Sequence, residues 1–196
     1  MTDFSTGLER RDVNFAALTP IDFIARAADV YGERLAVVYG DTRRNWRETY
    51  ARTRRLGSAL SGLGIGKNDT VAVLLPNTPE MVECHFGIPM AGAVLNTMNT
   101  RLDQATLLYM LRHGEAKALI ADTEYLTLVE GLREALPDLR VIGVHDQSAA
   151  TPAVPAEWLD YEALLAGGDP DYAWQLPADE WDAIALNYTS GTTGDP

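Results

Sequence analysis

Residues Tyr188 to Pro196 read YTSGTTGDP and concentrate small hydroxylated residues and glycines in one stretch. This composition suits neither a helix nor a strand, because Ser and Thr compete for backbone hydrogen bonds and Gly is flexible. Directly after a strand, such a stretch can present several backbone N–H groups and hydroxyls to one anion, and glycine lets the ligand approach the main chain. The chemistry that these residues predict is the binding of a phosphate group.

The spacing of the glycines does not match the common phosphate-binding motifs. Gly191 and Gly194 have two residues between them rather than four, and no Gly-Lys-Ser/Thr follows, so the stretch is neither a Walker A motif nor a dinucleotide fingerprint. From composition alone, an ordinary flexible turn explains it as well as a phosphate loop does. The candidate ligands of a phosphate are Thr189, Ser190, Gly191, Thr192, Thr193 and Gly194.

The single cysteine, Cys84, excludes an internal disulfide, and the three histidines show no spacing typical of a metal site. We interpret Cys84 as a small buried hydrophobic residue, and His85 beside it in the same way. His113 lies near a predicted helix C-terminus, where the helix dipole favours a cation. The residues themselves identify no catalytic acid, base or nucleophile and no metal ligand.

The chain of 196 residues has a net charge of −12, from 16 basic and 28 acidic residues, which opposes binding to nucleic acid. After Arg140 there is no Lys or Arg, although ten acidic residues follow. The basic residues instead cluster around one predicted helix. A solvated helix face explains this cluster, and a face that binds an anion or a partner is the alternative. The clustered residues are Arg43, Arg44, Arg47, Arg52, Arg54 and Arg55.

Neither a membrane span nor a secretory signal is predicted. The apolar stretches at Val71 and Phe86 are shorter than the roughly 20 residues that a membrane-spanning helix needs. The first fifteen residues contain acids and lack an apolar core followed by a cleavage site, so they do not resemble a secretory signal. We therefore expect a cytoplasmic location.

Alternating strand and helix patterns predict an α/β fold. A short hairpin is expected over 35–46, followed by a helix from Trp46 that ends before Gly64 and Gly66. Strand and helix then alternate over 69–145, which predicts a mainly parallel sheet flanked by helices. A connection rich in Pro and Gly, with one short helix near 161–165, fills 146–182. The last predicted strand is 183–188, so 183–196 combines this strand with the start of the loop.

The string YTSGTTGDP resembles, at nine consecutive positions, the phosphate-binding signature of the adenylate-forming ligases, which include the AMP-forming acyl-CoA synthetases. Val71 to Leu102 is similar to the amino-terminal subdomain of that family, and LNTMNTRL within it resembles the branch that acts on short and medium acyl chains. The earlier segment, from Leu18 to Thr49, also resembles the opening of the family, where a hairpin is expected to precede the first helix.

The resemblance implies that residues 1–196 form an incomplete amino-terminal domain, cut within the phosphate loop of a protein more than twice as long. With ATP and Mg²⁺, the parent enzyme would convert a carboxylic acid, in expectation a fatty acid, into an acyl-adenylate and then transfer the acyl group to coenzyme A. Thr189 to Gly194 would hold the β- and γ-phosphates of ATP. Residues 1–196 alone are expected to be inactive and to bind nucleotide weakly.

Two other functions fit the residues. The chain could be a stand-alone α/β module that binds phosphate or a partner without catalysis. Alternatively, the cluster of six arginines could be a docking face that forms a defined oligomer. The sequence leaves open which acid is activated and whether the protein is a homo-oligomer.

Overall fold

The structure is a computed structural model that describes residues 6–11 and 13–189. In this part of the chain, an antiparallel hairpin and a five-stranded parallel sheet are joined by six α-helices. The α/β class, the mainly parallel sheet and the separate small hairpin are therefore confirmed. None of the described helices combines the length and the apolar character that crossing a membrane requires.

The first helix, α1 (Ile21–Tyr31), precedes the hairpin of β1 (Leu35–Tyr39) and β2 (Thr42–Asn45). The expectation that the hairpin comes before the first helix is wrong. A helix forms before the hairpin because three buried residues, Ile21, Ile24 and Ala28, recur every three or four positions and give α1 an apolar face. Two of them, Ile21 and Ile24, pack with Met90 in a small hydrophobic cluster.

Helix α2 (Trp46–Gly62) follows the hairpin without a linker. Asn45 caps its first turn by accepting a hydrogen bond from Glu48 N, and the Glu48 side chain accepts one from Asn45 N. The helix stops at the predicted place, because Gly64 adopts a positive φ of 78° that other residues rarely adopt.

The repeated strand and helix units form the centre of the molecule. They are β3 (Thr70–Leu74), α3 (Pro79–Met90), β4 (Val94–Thr97), α4 (Gln104–His113), β5 (Ala116–Asp122), α5 (Leu126–Ala135) and β6 (Arg140–Val144). With a short strand, β7 (Leu159–Asp160), the parallel strands lie in the order β4-β3-β5-β6-β7. All five residues of β3 are buried, so this strand has helices on both faces. Helix α4 is capped by Asp103, as the 3-10 turn after β5 is capped by Asp122.

The region 146–182 contains one element that the sequence pattern does not predict. A two-residue strand, β7 (Leu159–Asp160), pairs in parallel with β6 and leads directly into α6 (Tyr161–Ala166). Asp160 caps α6 by accepting a hydrogen bond from Ala163 N. The sheet thus separates two helical layers, with α2, α3 and α6 packing against one face and α4 and α5 against the other.

The final strand predicted at 183–188 is wrong in extent. The segment runs parallel to β4, but only Ala185 forms a bridge, opposite Leu95. Leu95 supplies both hydrogen bonds of this bridge, and β4 ends at Thr97, two residues further on. One residue of the segment is therefore bridged to β4, and the side chains of Leu186 and Tyr188 hold the residues that follow.

Candidate functional site

The segment that leads to the predicted phosphate loop is attached to the outer edge of β4. The amide of Leu95 donates a hydrogen bond to the carbonyl of Ile184 over 3.0 Å, and the amide of Leu186 donates one to the carbonyl of Leu95 over 2.8 Å. Because β4 and this segment run in the same direction, the segment leads towards the edge of the sheet at which the parallel strands end. In open α/β sheets, ligands bind outside the carboxyl ends of the strands.

The side chain of Tyr188 holds the end of the described chain against α4. Its hydroxyl lies 2.8 Å from Nδ1 of His113 and donates a hydrogen bond to the carbonyl of Met110 over 3.3 Å. Both contacts are satisfied when Nδ1 of His113 carries a proton and donates to the tyrosine oxygen. Burial, with a smaller effect of Tyr109, raises the pKa of Tyr188, so its hydroxyl keeps the proton that it donates.

Of the six predicted phosphate ligands, Thr189 is described by the structure. It is exposed and lies immediately after the half-buried Tyr188. The other five, Ser190, Gly191, Thr192, Thr193 and Gly194, lie outside the described residues and stay predictions. Tyr188, whose side chain contacts α4, therefore directly precedes the first candidate phosphate ligand.

One acid that precedes the loop is neutralised locally. Lys67 donates a hydrogen bond from Nζ to Oδ2 of Asp182 over 2.8 Å, and this contact lowers the pKa of Asp182. The pair lies beside a cavity of about 250 Å³ between the end of α3 and the 175–184 chain. The charge of Asp182 therefore adds little to the field at the loop.

A second group of polar residues lies where β5 and β6 end. The hydroxyl of Tyr39 donates a hydrogen bond of 2.5 Å to Oδ2 of Asp146, and this bond, with burial, raises the pKa of Tyr39 to about 12. Asp122, at the end of β5, accepts a hydrogen bond from Glu124 N through Oδ1. Burial raises the pKa of Asp122, and the charges of Asp146, Glu124 and Glu80 raise it further.

Several buried polar atoms near the carboxyl ends of the strands have no hydrogen-bond partner among residues 6–11 and 13–189. They are Thr78 Oγ1, both side-chain polar atoms of Asn96, Asp122 Oδ2 and Thr123 Oγ1. Across the same ranges, no group of three His, Cys, Asp or Glu side chains is arranged to hold a metal ion. We therefore assign no metal ligand to this part of the chain.

Two of the six clustered arginines, Arg44 and Arg52, belong to a buried charged network, whereas Arg47 pairs with Glu33 at the surface, where its side chain is 67% exposed. Arg52 donates to the buried carboxylate of Glu83 from Nε over 2.5 Å and from Nη2 over 3.1 Å, and it also contacts Glu162 on α6 over 2.5 Å. Arg44 contacts the same carboxylate from Nη1 over 2.7 Å. Glu83, whose side chain is 1% exposed, is thus the centre of a charged network that joins β2, α2, α3 and α6.

The remaining arginines also find acceptors within the chain. Arg54 contacts Asp171 and the carbonyl of Tyr172, and Arg55 donates to the carbonyl of Gly168 over 2.8 Å. Arg52, Arg54 and Arg55 connect α2 to the 161–172 region, so a solvated face does not describe these three side chains. The sequence offers one signal for this outcome, which is a glutamate in the middle of an otherwise apolar stretch of α3. The docking-face hypothesis stays a prediction.

The remaining candidate residues of the sequence fall in different environments. Cys84 is fully buried, as predicted. His85 is exposed, so its predicted burial is wrong, and its Nδ1 lies 2.7 Å from the carbonyl of Met81 one turn earlier in α3. His113 is the last residue of α4, as predicted.

Comparison with known proteins places this fold and its terminal segment in one family. Residues 24–196 match the family of AMP-binding enzymes. A peroxisomal acetate/butyrate–CoA ligase of Arabidopsis thaliana is 44% identical over 201 residues, and the match covers 96% of this chain and 35% of that protein. An acetate–CoA ligase of Humulus lupulus is 41% identical over 201 residues, with the same coverage of 96% and 35%.

The solved structures agree with these relatives. The crystal structure of an anthranilate CoA ligase in complex with anthranoyl-AMP superposes with a TM-score of 0.81 and 26% sequence identity, and the match covers 95% of this chain and 35% of that one. The chain therefore spans about a third of the length of the curated relatives that it matches. Because the family match extends over residues 24–196, the chain belongs to the family of AMP-binding enzymes.

Proposed function

We propose that this chain is the amino-terminal part of an ATP-dependent, AMP-forming acyl-CoA ligase. The observation that carries the proposal is the family match over residues 24–196, which includes the predicted phosphate loop. Relatives named as acetate, butyrate and trans-cinnamate CoA ligases support an acid–thiol ligase activity. The substrate class is a monocarboxylic acid, and a short or medium fatty acid is the more specific proposal.

The proposed reaction has two steps. A carboxylate oxygen of the acid attacks the α-phosphorus of ATP, the bond to the β-phosphate oxygen breaks, and acyl-adenylate and pyrophosphate form. The sulfur of coenzyme A then attacks the acyl carbonyl carbon, and AMP leaves as the thioester forms. ATP and coenzyme A are therefore substrates of the whole protein.

The proposed role of this chain is to hold the phosphates that leave as pyrophosphate. Backbone N–H groups and hydroxyls from Thr189 to Gly194 would donate hydrogen bonds to the β- and γ-phosphate oxygens, where negative charge grows as the bond breaks. Charge-assisted hydrogen bonds of this kind contribute about 1.5 to 3 kcal/mol each. Mg²⁺ belongs to the proposal as the ion that accompanies ATP, and none of the described residues is assigned as its ligand.

The activity can be tested on the protein expressed from its complete reading frame. We expect AMP and pyrophosphate to form in equal amounts, and only when ATP, Mg²⁺ and an acid are all present. Acetate, butyrate, hexanoate and benzoate form a suitable panel, because the named relatives act on acids of these kinds. Formation of ADP, or ATP consumption that does not depend on the acid, would contradict the proposal.

The same assay on residues 1–196 alone separates the proposal from the stand-alone binding module. We expect no acyl-CoA and only weak binding of ATP by this chain. Tight binding of ATP or inorganic phosphate that does not require Mg²⁺ would favour the binding module instead.

We propose a cytoplasmic location and a role in fatty acid metabolism as finer parts of this function. The names of four relatives place those proteins in peroxisomes, which makes the peroxisome the competing location. Immunolocalisation of the untagged protein in its own cells decides between them, and co-localisation with a peroxisomal marker would overturn the cytoplasmic proposal.

A further inference from the structure

The chain between the sheet and the predicted phosphate loop has few attachments. Its backbone is joined to the sheet by two hydrogen bonds, both to Leu95. A single bridge does not fix the direction of the following residues. Because each further residue adds about 3.3 Å of extended chain, a small change of direction at Ala185 displaces the residues beyond it by a larger distance. The position of Thr189, the first candidate phosphate ligand, must therefore depend on what holds Leu186 and Tyr188.

Both side chains contact the same short stretch, the carboxyl end of α4. A Cβ atom added to Gly114 would lie 2.9 Å from Cδ2 of Leu186 and 3.4 Å from the hydroxyl oxygen of Tyr188. Leu186 therefore packs directly over the glycine that follows the helix. Leu186 and Tyr188 are two residues apart, so in an extended chain both point towards the same side.

The ring of His113 is itself held in place, so it can act as a fixed anchor for Tyr188. It stacks on Tyr109, one turn earlier in α4, with ring centroids 5.5 Å apart and an angle of 15° between the rings. It meets the ring of Tyr188 edge-on, with centroids 5.7 Å apart. The hydroxyl of Tyr188 then bonds to Nδ1 of His113 and to the carbonyl of Met110.

We propose that the carboxyl end of α4 positions the phosphate loop, with His113 and Gly114 as positioning residues that act through Leu186 and Tyr188. The inference rests on the proposed function, because it assigns to His113 and Gly114 an indirect effect on the binding of ATP. Tyr188 precedes Thr189, the first candidate phosphate ligand, so a shift of the anchored side chains moves the loop donors directly. A hydrogen bond weakens steeply when its geometry is lost, and a misplacement of 1 Å can reduce a rate about a hundredfold.

The sharpest variant is Gly114→Ala, with Gly167→Ala as its matched control. Both glycines cap a helix at a φ of −81°, so alanine strains neither backbone. At Gly114 the new Cβ would lie 2.9 Å from Cδ2 of Leu186 and 3.1 Å from the carbonyl oxygen of Met110, which accepts the hydrogen bond of Tyr188, whereas at Gly167 the nearest atom is 3.6 Å away. His113→Ala removes the hydrogen bond to Tyr188, and His113→Asn restores a polar group near the position of Nδ1.

Two measurements on the protein from its complete reading frame test the inference. The first is hydrogen exchange of the amides from Ile184 to Thr189, in the absence of ligands. We expect faster exchange in Gly114→Ala and His113→Ala, and exchange close to that of the natural protein in Gly167→Ala and His113→Asn. Unchanged exchange in both Gly114→Ala and His113→Ala would overturn the anchoring.

The second measurement compares Michaelis constants. We expect the KM for ATP to rise about tenfold in Gly114→Ala and His113→Ala, while the KM values for the acid and for coenzyme A stay within about twofold. The positioning role would be overturned if the KM values for ATP, the acid and coenzyme A all changed equally. It would also be overturned if hydrogen exchange became faster while the KM for ATP stayed unchanged. Should Gly114→Ala reduce the yield of folded protein, Tyr188→Phe decides, because it deletes one hydroxyl and keeps the ring. A natural protein without acid-dependent ATP cleavage would overturn the proposed function, and hydrogen exchange would still decide the anchoring.

Discussion

The hydroxyl of Tyr161 donates a hydrogen bond to Oε2 of Glu83 over 2.8 Å, in the buried space between α3 and α6. Arg44 and Arg52 supply three further donors to the same carboxylate. The three guanidinium contacts can only donate, because Arg44 and Arg52 have no acceptor atom and stay charged. Burial raises the pKa of Glu83 above its usual value, although the hydrogen bonds and charges of Arg52 and Arg44 act against it. Because two permanently charged guanidinium groups contact the carboxylate, we assign it as ionised at neutral pH.

We expect Glu83→Gln to reduce the free energy of unfolding by about 3 to 5 kcal/mol, because it leaves two arginines without their buried counter-charge. Glu162→Gln is the matched control, since Glu162 also pairs with Arg52 but has a side chain that is 56% exposed. For this exposed pair we expect a loss below about 1 kcal/mol. Urea unfolding followed by tryptophan fluorescence measures both, and equal losses would show that burial of Glu83 is not the cause.

Gly87 lies where α3 crosses α2. A Cβ added there would lie between 2.7 and 2.9 Å from three side-chain atoms of Leu56, which is fully buried. We expect Gly87→Ala to destabilise the fold by about 1 to 3 kcal/mol, because the crowded core must shift.

Gly62→Ala, at the end of α2, is the control for Gly87→Ala, because a Cβ there meets no atom within 4 Å. Alanine favours a helix over glycine by up to about 1 kcal/mol, so we expect no loss of stability there. Thermal unfolding of the two variants distinguishes a steric effect from a general effect of replacing glycine in this layer.

Asp122 gives a prediction for the effect of pH. Its folded-state pKa is raised, first by burial and then by the charges of Asp146, Glu124 and Glu80, so folding favours its protonated form. That contribution is fully present below about pH 4, the usual pKa of Asp, and is lost as pH rises through the folded-state value. Relative to Asp122→Asn, the natural protein should therefore become less stable between pH 4 and pH 7.

Asn at position 122 keeps an oxygen that can accept the hydrogen bond from Glu124 N, so the variant removes the charge and keeps the cap. Urea unfolding at pH 4, 5, 6 and 7 measures the difference between the two proteins. Asp138→Asn, in an exposed turn, controls for the loss of one charge from the whole molecule. A difference that stays constant over this pH range would contradict the prediction.

The single cysteine offers a probe of unfolding. Cys84 is fully buried, and burial raises its pKa well above the usual value, so little of the reactive thiolate is present or accessible in the folded protein. We expect a disulfide reagent such as DTNB to modify Cys84 at the rate at which the surrounding core opens. Rapid modification in the absence of denaturant would show that α3 opens more readily than its packing implies.

Local chemistry was enough to predict the parts of the fold that depend on neighbouring residues. The alternation of strand and helix over 69–145 and the stop of α2 before Gly64 could both be read from patterns of nearby positions. The two residues of β7 could not, because Leu159 and Asp160 carry no strand pattern and pair only through contact with β6.

Contacts between distant positions account for the remaining differences. Glu83 meets Arg52 across 31 positions and Tyr161 across 78, and no local pattern identifies such partners. The strand predicted at 183–188 has a suitable composition, but its pairing with β4 is limited to Ala185, which composition does not reveal. The candidate phosphate ligands came from residue types and from resemblance, because spacing alone left an ordinary turn equally possible.

The distance along the chain between Tyr188 and its anchor has a consequence for biosynthesis. Seventy-five positions separate His113 from Tyr188, so at about 5 to 20 residues per second a ribosome needs about 4 to 15 s to make the intervening polypeptide. The sheet and α4 leave the ribosome first and have time to assemble before Tyr188 is made. The segment that precedes the candidate phosphate ligands is thereby added to a surface that earlier translation has already completed.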